Sequence, residues 1–140
     1  MLLSPSVLIE WQPDYSVNIS SIDKQHRYLV TVIRQLQEAM LEGRARDFIG
    51  HVFEEMNLYT KFHFQFEEDL LEKHHYPELP GHHDRHLELI NQLHELAQHH
   101  AEGKLNAGAP VMHFLRSWLL DHICECDKGY AAFLRQKGIS

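Results

Sequence analysis

Residues 63–86, HFQFEEDLLEKHHYPELPGHHDRH, decide how the rest of the chain is read. A helical stretch carrying His63 and Glu67 runs into Tyr76-Pro77 and Pro80-Gly81, and a second helical stretch then carries His82 and His86. Within each stretch the two chemistry-bearing residues stand four apart, which puts both side chains on one helix face. The prolines and glycine between the stretches mark a reversal of the chain. The two stretches therefore fold back as antiparallel neighbours, with both pairs near the same end.

The flanking sequence repeats this habit. A first helix is expected from Ser20 or Ser21, where Ser20-Ser21-Ile22-Asp23 offers a cap with an acid three residues on. Its apolar side runs Ile22, Leu29, Ile33, Leu36, Met40, and Gly43 ends it. A second helix is expected over about 47–74, with Ile49, Val52, Phe53, Met56, Phe66 and Leu70 inward. A third begins just after Pro80 and carries His82, His86, Ile90, Leu93 and Ala97. The fourth has Pro110 in its first turn, followed by Leu115, Trp118, Leu119, Ile123, Tyr130 and Phe133. No segment alternates with period two over a useful length. The expected fold is all-α: an antiparallel up-down-up-down four-helix bundle with an N-terminal arm. One domain spans 1–140, with the arm over 1–19 and the bundle over 20–136. The arm must pack Trp11 and Tyr15 across the side or end of the bundle.

Composition narrows the function. With 140 residues, 44% hydrophobic and 24% charged, the chain has a globular balance and no signature of disorder. No apolar run approaches the ~20 residues of a membrane span. A net charge of -7 with scattered basic residues argues against nucleic acid as a partner. The first ten residues lack a basic stretch and a small-residue cleavage site, so no signal peptide is expected. Cys124 and Cys126 stand one residue apart, where a disulfide would be strained; a reducing compartment, the cytoplasm, is expected. Histidine is the unusual number: 13, as many as Lys and Arg together. Solubility does not require that many, so they direct attention to chemistry.

The bundle topology sorts these histidines. Counted along antiparallel helices at 1.5 Å per residue, His26, His63, Glu67, His82, His86, His122 and Asp127 fall within one slab, from all four helices. His51, His99, His100 and His113 map toward the opposite end, His74 and His75 sit at a loop, and His83 neighbours a ligand on a different face. His51 and Glu55 copy the spacing of His63 and Glu67 at the wrong level. Glu68 and Asp69, beside Glu67, are expected to face solvent. His122 and Asp127 are five apart, a rotation of about 140° on a regular helix. A local distortion such as a π-bulge, or a carboxylate reaching in from the flank, is therefore expected. Two buried carboxylates without cations would be costly. Mixed imidazole and carboxylate ligation suits iron, zinc, manganese or copper, and two carboxylates suffice to bridge a pair of ions. If both carboxylates bridge and one solvent-derived oxygen is shared, two octahedra are filled except for a single corner, where a small molecule would bind.

These residues resemble the hemerythrins, the single-domain bacterial members above all, over about residues 10–135. The resemblance rests on Trp11, Ile22-Asp23-Lys-Gln-His26, His63-Phe64-x-x-Glu67-Glu68, Tyr76-Pro77 with His82-x3-His86, and Trp118-Leu119-x-x-His122-Ile123-x3-Asp127-x2-Tyr130. It implies a non-haem di-iron centre. One iron takes His26 and His63 and keeps an open position; the other is saturated by His82, His86 and His122. Glu67, Asp127 and an oxo or hydroxo group bridge them. The implied activity is reversible O2 binding, with Leu29, Phe64, Trp118, Leu119 and Ile123 lining the open position. A wall of that kind offers no acid proton for cleaving the O–O bond. Where the family often has glycine before the isoleucine of the arm, this chain has Asn18, a residue that tolerates left-handed backbone.

The expected role is thus a non-enzymatic oxygen carrier, store or buffer, monomeric, with O2 as ligand and no nucleic-acid or membrane partner. Two rivals use the same centre: a di-iron reductase consuming peroxide or nitric oxide, and an O2 sensor acting through a separate partner. His122 and Cys126 would hold zinc only by taking the face that Asp127 needs.

Overall fold

A computed structural model of the chain describes residues 9–102, 109–122 and 127–140. Ile123, Cys124 and Cys126 lie outside the described residues. After a 3-10 turn at Pro13–Tyr15 come α1 (Ser20–Leu41), α2 (Ala45–Lys73), α3 (Leu79–Ala101), α4 (Ala109–Asp121) and α5 (Lys128–Gln136). Among the described residues there is no strand. α1 packs on α2 and on α4, and α2 packs on α3. The result is a four-helix bundle whose fourth member is α4 and α5 in succession. Among the described residues no helix is long and apolar enough to cross a membrane.

The fourth helix is distorted where the spacing of His122 and Asp127 leads one to expect it. The backbone at His122 and Asp127 is π-helical, and it is here that α4 gives way to α5. A π turn takes an extra residue for each hydrogen bond, so side chains five apart return to the same side. Both His122 and Asp127 are accordingly fully buried.

The start of α1 differs from the expected one. The residue at its N-cap is Ile19, with no side-chain cap. Asp23 does not close a capping box with Ser20. Its carboxylate instead turns back to accept from Ser16 Oγ at 2.5 Å and from the Val17 amide at 2.8 Å. The acid thereby fastens the arm to the helix, and Asn18 makes the turn between them at φ 60°. Further out, Ile9 is buried and its amide donates to Gln37 Oε1 at 2.7 Å. Trp11 packs edge-on against Tyr15 and lies 5.0 Å beneath the Arg27 guanidinium. The arm thus lies along the side of the bundle.

Inward-facing residues mostly follow the expected stripes, with drift. On α3 the buried set is His82, His86, Leu89 and Leu93, so Leu89 takes the place expected of Ile90. Two successive steps of four rotate a helix face by about 80°, and a step of three brings it back. On α2 it is Leu71, four residues after Glu67, that is buried rather than Leu70, and on α5 Leu134, four after Tyr130, rather than Phe133. The apolar core forms two clusters. The larger includes Leu29, Ile33, Ile49, Met56, Phe64, Leu89, Leu115, Trp118 and Leu119. The smaller holds Val17, Ile19, Ile22, Leu71, Tyr130, Ala131 and Leu134.

Left-handed residues stop the helices. After α1, Gly43 has φ 74°, and the Arg44 amide reaches back to Ala39 O at 2.7 Å. After α2 the same role falls to His75 at φ 57°, with the Tyr76 amide on Leu71 O at 2.9 Å. A side chain at Gly43 would meet open space, so only backbone strain opposes it. Gly43→Ala is expected to lower stability by about 1 kcal/mol, and His75→Gly to raise it by somewhat less. Denaturant midpoints of the two variants, moving in opposite directions, check this.

Candidate metal centre

Helix register delivers the polar residues to one level. His26 lies between Ile22 and Leu29 on α1, and His63 and Glu67 between Met56 and Leu71 on α2. On α3, His82 and His86 precede Leu89. The π region places His122 and Asp127 between Leu119 and Tyr130. All seven are buried, the most exposed being His82 at 8%.

Their donor atoms converge. His26 Nε2 lies 2.6 Å and His122 Nε2 2.9 Å from the same oxygen, Asp127 Oδ2. Glu67 Oε1 is ringed by the Nε2 atoms of His86 at 3.2 Å, His63 at 3.3 Å and His122 at 3.3 Å. His82 Nε2 stands 3.7 Å from Asp127 Oδ1. Among the described residues two groups have donor atoms within 4.8 Å of one another: His26, His63, Glu67, His122 and Asp127, and Glu67, His82, His86 and Asp127. Both carboxylates belong to both groups. His122 falls with His26 rather than with His82 and His86, because both imidazoles share Asp127 Oδ2. Its ring is nonetheless about equidistant from those of His86 (5.3 Å) and His63 (5.6 Å).

The relatives of the chain agree with this convergence. Residues 17–134 match the family model of the hemerythrin HHE cation binding domain. The chain belongs to the hemerythrin family. It is 33% identical over 128 residues to a bacteriohemerythrin of Stenotrophomonas maltophilia, covering 89% of this chain and 80% of that protein. Against a bacteriohemerythrin of Pseudomonas aeruginosa it is 34% identical over 125 residues, with the same coverage. The crystal structure of wild-type hemerythrin superposes with a TM-score of 0.80 at 25% identity, over 90% of this chain and 97% of that one.

The hemerythrin residues present here fit a cation. His63 Nε2, His82 Nε2, His86 Nε2, Glu67 Oε1 and Asp127 Oδ1 are buried without a hydrogen-bond partner. Leaving such atoms unsatisfied costs on the order of 1–3 kcal/mol each. The nitrogens and oxygens face one another across gaps of 3.2 to 3.7 Å, and an ion between them would convert the penalties into bonds. Five imidazoles with two carboxylates are a donor set suited to iron.

Protonation points the same way. Burial, the largest influence, holds His63 well below the ordinary histidine range, and it lowers His82 too. Burial and the neighbouring Asp127 push Glu67 upward, but the imidazoles of His63 and His122 outweigh them and hold it at about 2. Asp127 is likewise held low: burial raises it, and contacts with His122 and His26 win. Neutral nitrogens and ionised oxygens are the forms a metal takes up. Burial together with the two carboxylates pushes Tyr130 well up, so it stays protonated and donates a hydrogen bond to Glu67 Oε2.

Of the five expected pocket residues, Leu29, Phe64, Trp118 and Leu119 are buried in the larger apolar cluster, and Ile123 lies outside the described residues. Phe64 stacks face to face on His86 at 3.8 Å. Trp118 donates its indole N–H to Leu89 O at 3.0 Å. Sequence reasoning missed two supports. Gln25, buried beside His26, accepts from His63 Nδ1 at 2.6 Å. Glu68, expected in solvent, accepts from His86 Nδ1 at 2.7 Å and from His83 Nδ1 at 2.6 Å. The only signal in the sequence is indirect: a ligand imidazole must place its second nitrogen somewhere. Tyr76, by contrast, points its hydroxyl at the exposed Glu78. His51, His94, His99 and His113 are exposed, as surplus surface residues should be. Glu55 accepts from the Tyr28 hydroxyl on the surface, away from the centre.

The lowered His63 and His82 give a pH dependence. Their folded values lie below the ordinary 6.5, so the unfolded chain takes up protons first as pH falls. Stability of chelator-treated protein is therefore complete above about pH 6.5 and declines below it. Glu67 adds a further loss only below its ordinary 4.5. Denaturant midpoints should fall between about pH 7.5 and 5.5. A flat or rising midpoint would contradict neutral burial of these imidazoles.

Proposed function

We propose that this chain binds O2 reversibly at a non-haem di-iron centre and serves as an oxygen carrier, store or buffer. The observation that carries this reading is a pair of ligand groups sharing both carboxylates beside an apolar cluster. On this reading His26 and His63 hold one iron, with room for a further ligand. His82 and His86 hold the other, completed by His122, which touches both groups. Glu67 and Asp127 join the two, with a bridging oxo or hydroxo group. When bound, the iron pair supplies the two electrons that reversible O2 binding requires.

The residues supply the restraint. Leu29, Phe64, Trp118 and Leu119 exclude water from the open side and bring no acidic proton to it. The one N–H in that wall, on Trp118, is already spent on Leu89 O. Five neutral imidazoles against two carboxylates donate less negative charge than a carboxylate-rich site, and Tyr130 draws further charge from Glu67. Each feature favours holding O2 over splitting it. A reductase or sensor role would rest on the same centre, and turnover separates them.

The test is optical. Protein reduced without air should develop a visible charge-transfer band on exposure to air and lose it when the air is removed. Rapid irreversible oxidation, with steady consumption of peroxide or nitric oxide under added reductant, would replace the carrier with the reductase. In the same assay His26→Ala or His63→Ala should lose most of the iron that meets the gas, and the band with it. Unchanged iron content and O2 response in both variants would contradict the placement of the open position.

A further inference from the structure

His83, a histidine outside both ligand groups, lies next to a ligand in sequence and shares an acceptor with another. His83 and His86 are three apart on α3, so both side chains reach toward the groove against α2. Glu68 fills that groove. Oε1 accepts from His83 Nδ1 at 2.6 Å and Oε2 from His86 Nδ1 at 2.7 Å. The side chain of His83 is 50% exposed, that of Glu68 18%, and that of His86 1%. The chain of contacts thus runs from the surface to the buried centre in two hydrogen bonds.

We propose that Glu68 is a positioning residue for the metal held by His86, itself secured from outside by His83. The proposal rests on the di-iron reading above. A carboxylate accepts and never donates, so a proton stays on His86 Nδ1 and Nε2 is left to face Glu67. The bond also fixes the ring against rotation, in register with the Phe64 ring stacked on it. Because the acceptor is charged, it increases the electron density that His86 passes to the ion. His63, held by the neutral amide of Gln25, receives no such help.

The experiment compares wild type, Glu68→Ala, Glu68→Gln and, as a control, Glu72→Ala, each reconstituted with ferrous iron. Glu72 is exposed one turn further along α2, so its removal deletes the same charge from the same helix. Iron per chain is measured after challenge with a chelator, and the midpoint potential of the bound iron by redox titration. Glu68→Ala should weaken retention of one of the two irons by about 10–100-fold. Glu68→Gln, which keeps an acceptor of the same shape, should restore most of that retention yet leave the potential above that of wild type. Glu72→Ala should match wild type in both measurements. Wild-type retention and potential in Glu68→Ala would overturn the proposal, as would an equal loss in Glu72→Ala. If Glu68→Ala does not fold, Glu68→Gln decides: a wild-type potential overturns the proposal. Fewer than two irons in wild type itself would overturn the di-iron reading, a result distinguishable from the others because it precedes any substitution.

Discussion

Burying two carboxylates among five imidazoles is the constraint on which this bundle depends. Glu67 and Asp127 are at most 1% exposed, and between them they touch His26, His63, His82, His86 and His122. Charges taken so far from water are tolerable only when every one is matched. The matching has to come from all four helices, which fixes their relative heights. A bundle with the same apolar stripes but one helix slid by a turn would strand a carboxylate in the core. The polar layer lies where the larger apolar cluster gives way to the smaller, and it sets the register that leucine packing alone leaves loose.

The fourth helix shows what that demand does to local structure. On a regular helix, five residues between His122 and Asp127 would turn one of them away from the layer by about 140°. The backbone instead takes a π turn at these positions, and α5 follows on a new phase with Tyr130 and Leu134 inward. Such turns are rare and concentrate at functional sites, because only a strong tertiary demand repays the poorer hydrogen bonding. Here the demand is visible: a buried carboxylate and a buried imidazole must reach the same polar layer, where they lie 2.9 Å apart. The change of phase also carries the Tyr130 hydroxyl to Glu67, a contact that a continuous α-helix from α4 would place elsewhere.

Much of this was legible in the sequence, and the boundary of legibility has a physical origin. The four helices, their reversals and the level of the polar layer follow from period, punctuation and rise per residue, all properties of the chain taken locally. The distortion at His122 follows too, since it is a conflict between spacing and helix geometry. What stayed hidden depends on a neighbour's surface. Asp23 has the spacing of a capping acid, yet finds Ser16 and Val17 of the arm, whose path no local pattern states. Gln25 and Glu68 each sit beside a ligand, about 100° around the helix, where a polar residue ordinarily meets water. Only the packing of α2 against α1 and α3 turns those positions into partners of His63 and His86. The exchange of Ile90 for Leu89 has a milder cause, the drift of a 3.6-residue period against a stripe counted in fours.

Those hidden partners make the centre asymmetric in a way the ligand list does not. In one respect His63 and His86 look alike: each imidazole faces Glu67, at 3.3 and 3.2 Å. Behind the imidazoles they differ, with a buried neutral amide on one side and a carboxylate tied to the surface on the other. An imidazole backed by a carboxylate is the stronger donor, and a strongly donated ion has less need of another ligand. An imidazole backed by an amide leaves its ion more electron-poor and keener for a further donor. The proposed open position stands on the amide side, with the apolar wall beside it. On the proposed reading, substrate access and electronic appetite would coincide at one ion. Under that reading the asymmetry would suit a reversible binder of a small apolar gas, with one metal to meet the ligand and a second, held rigidly, to share the electrons.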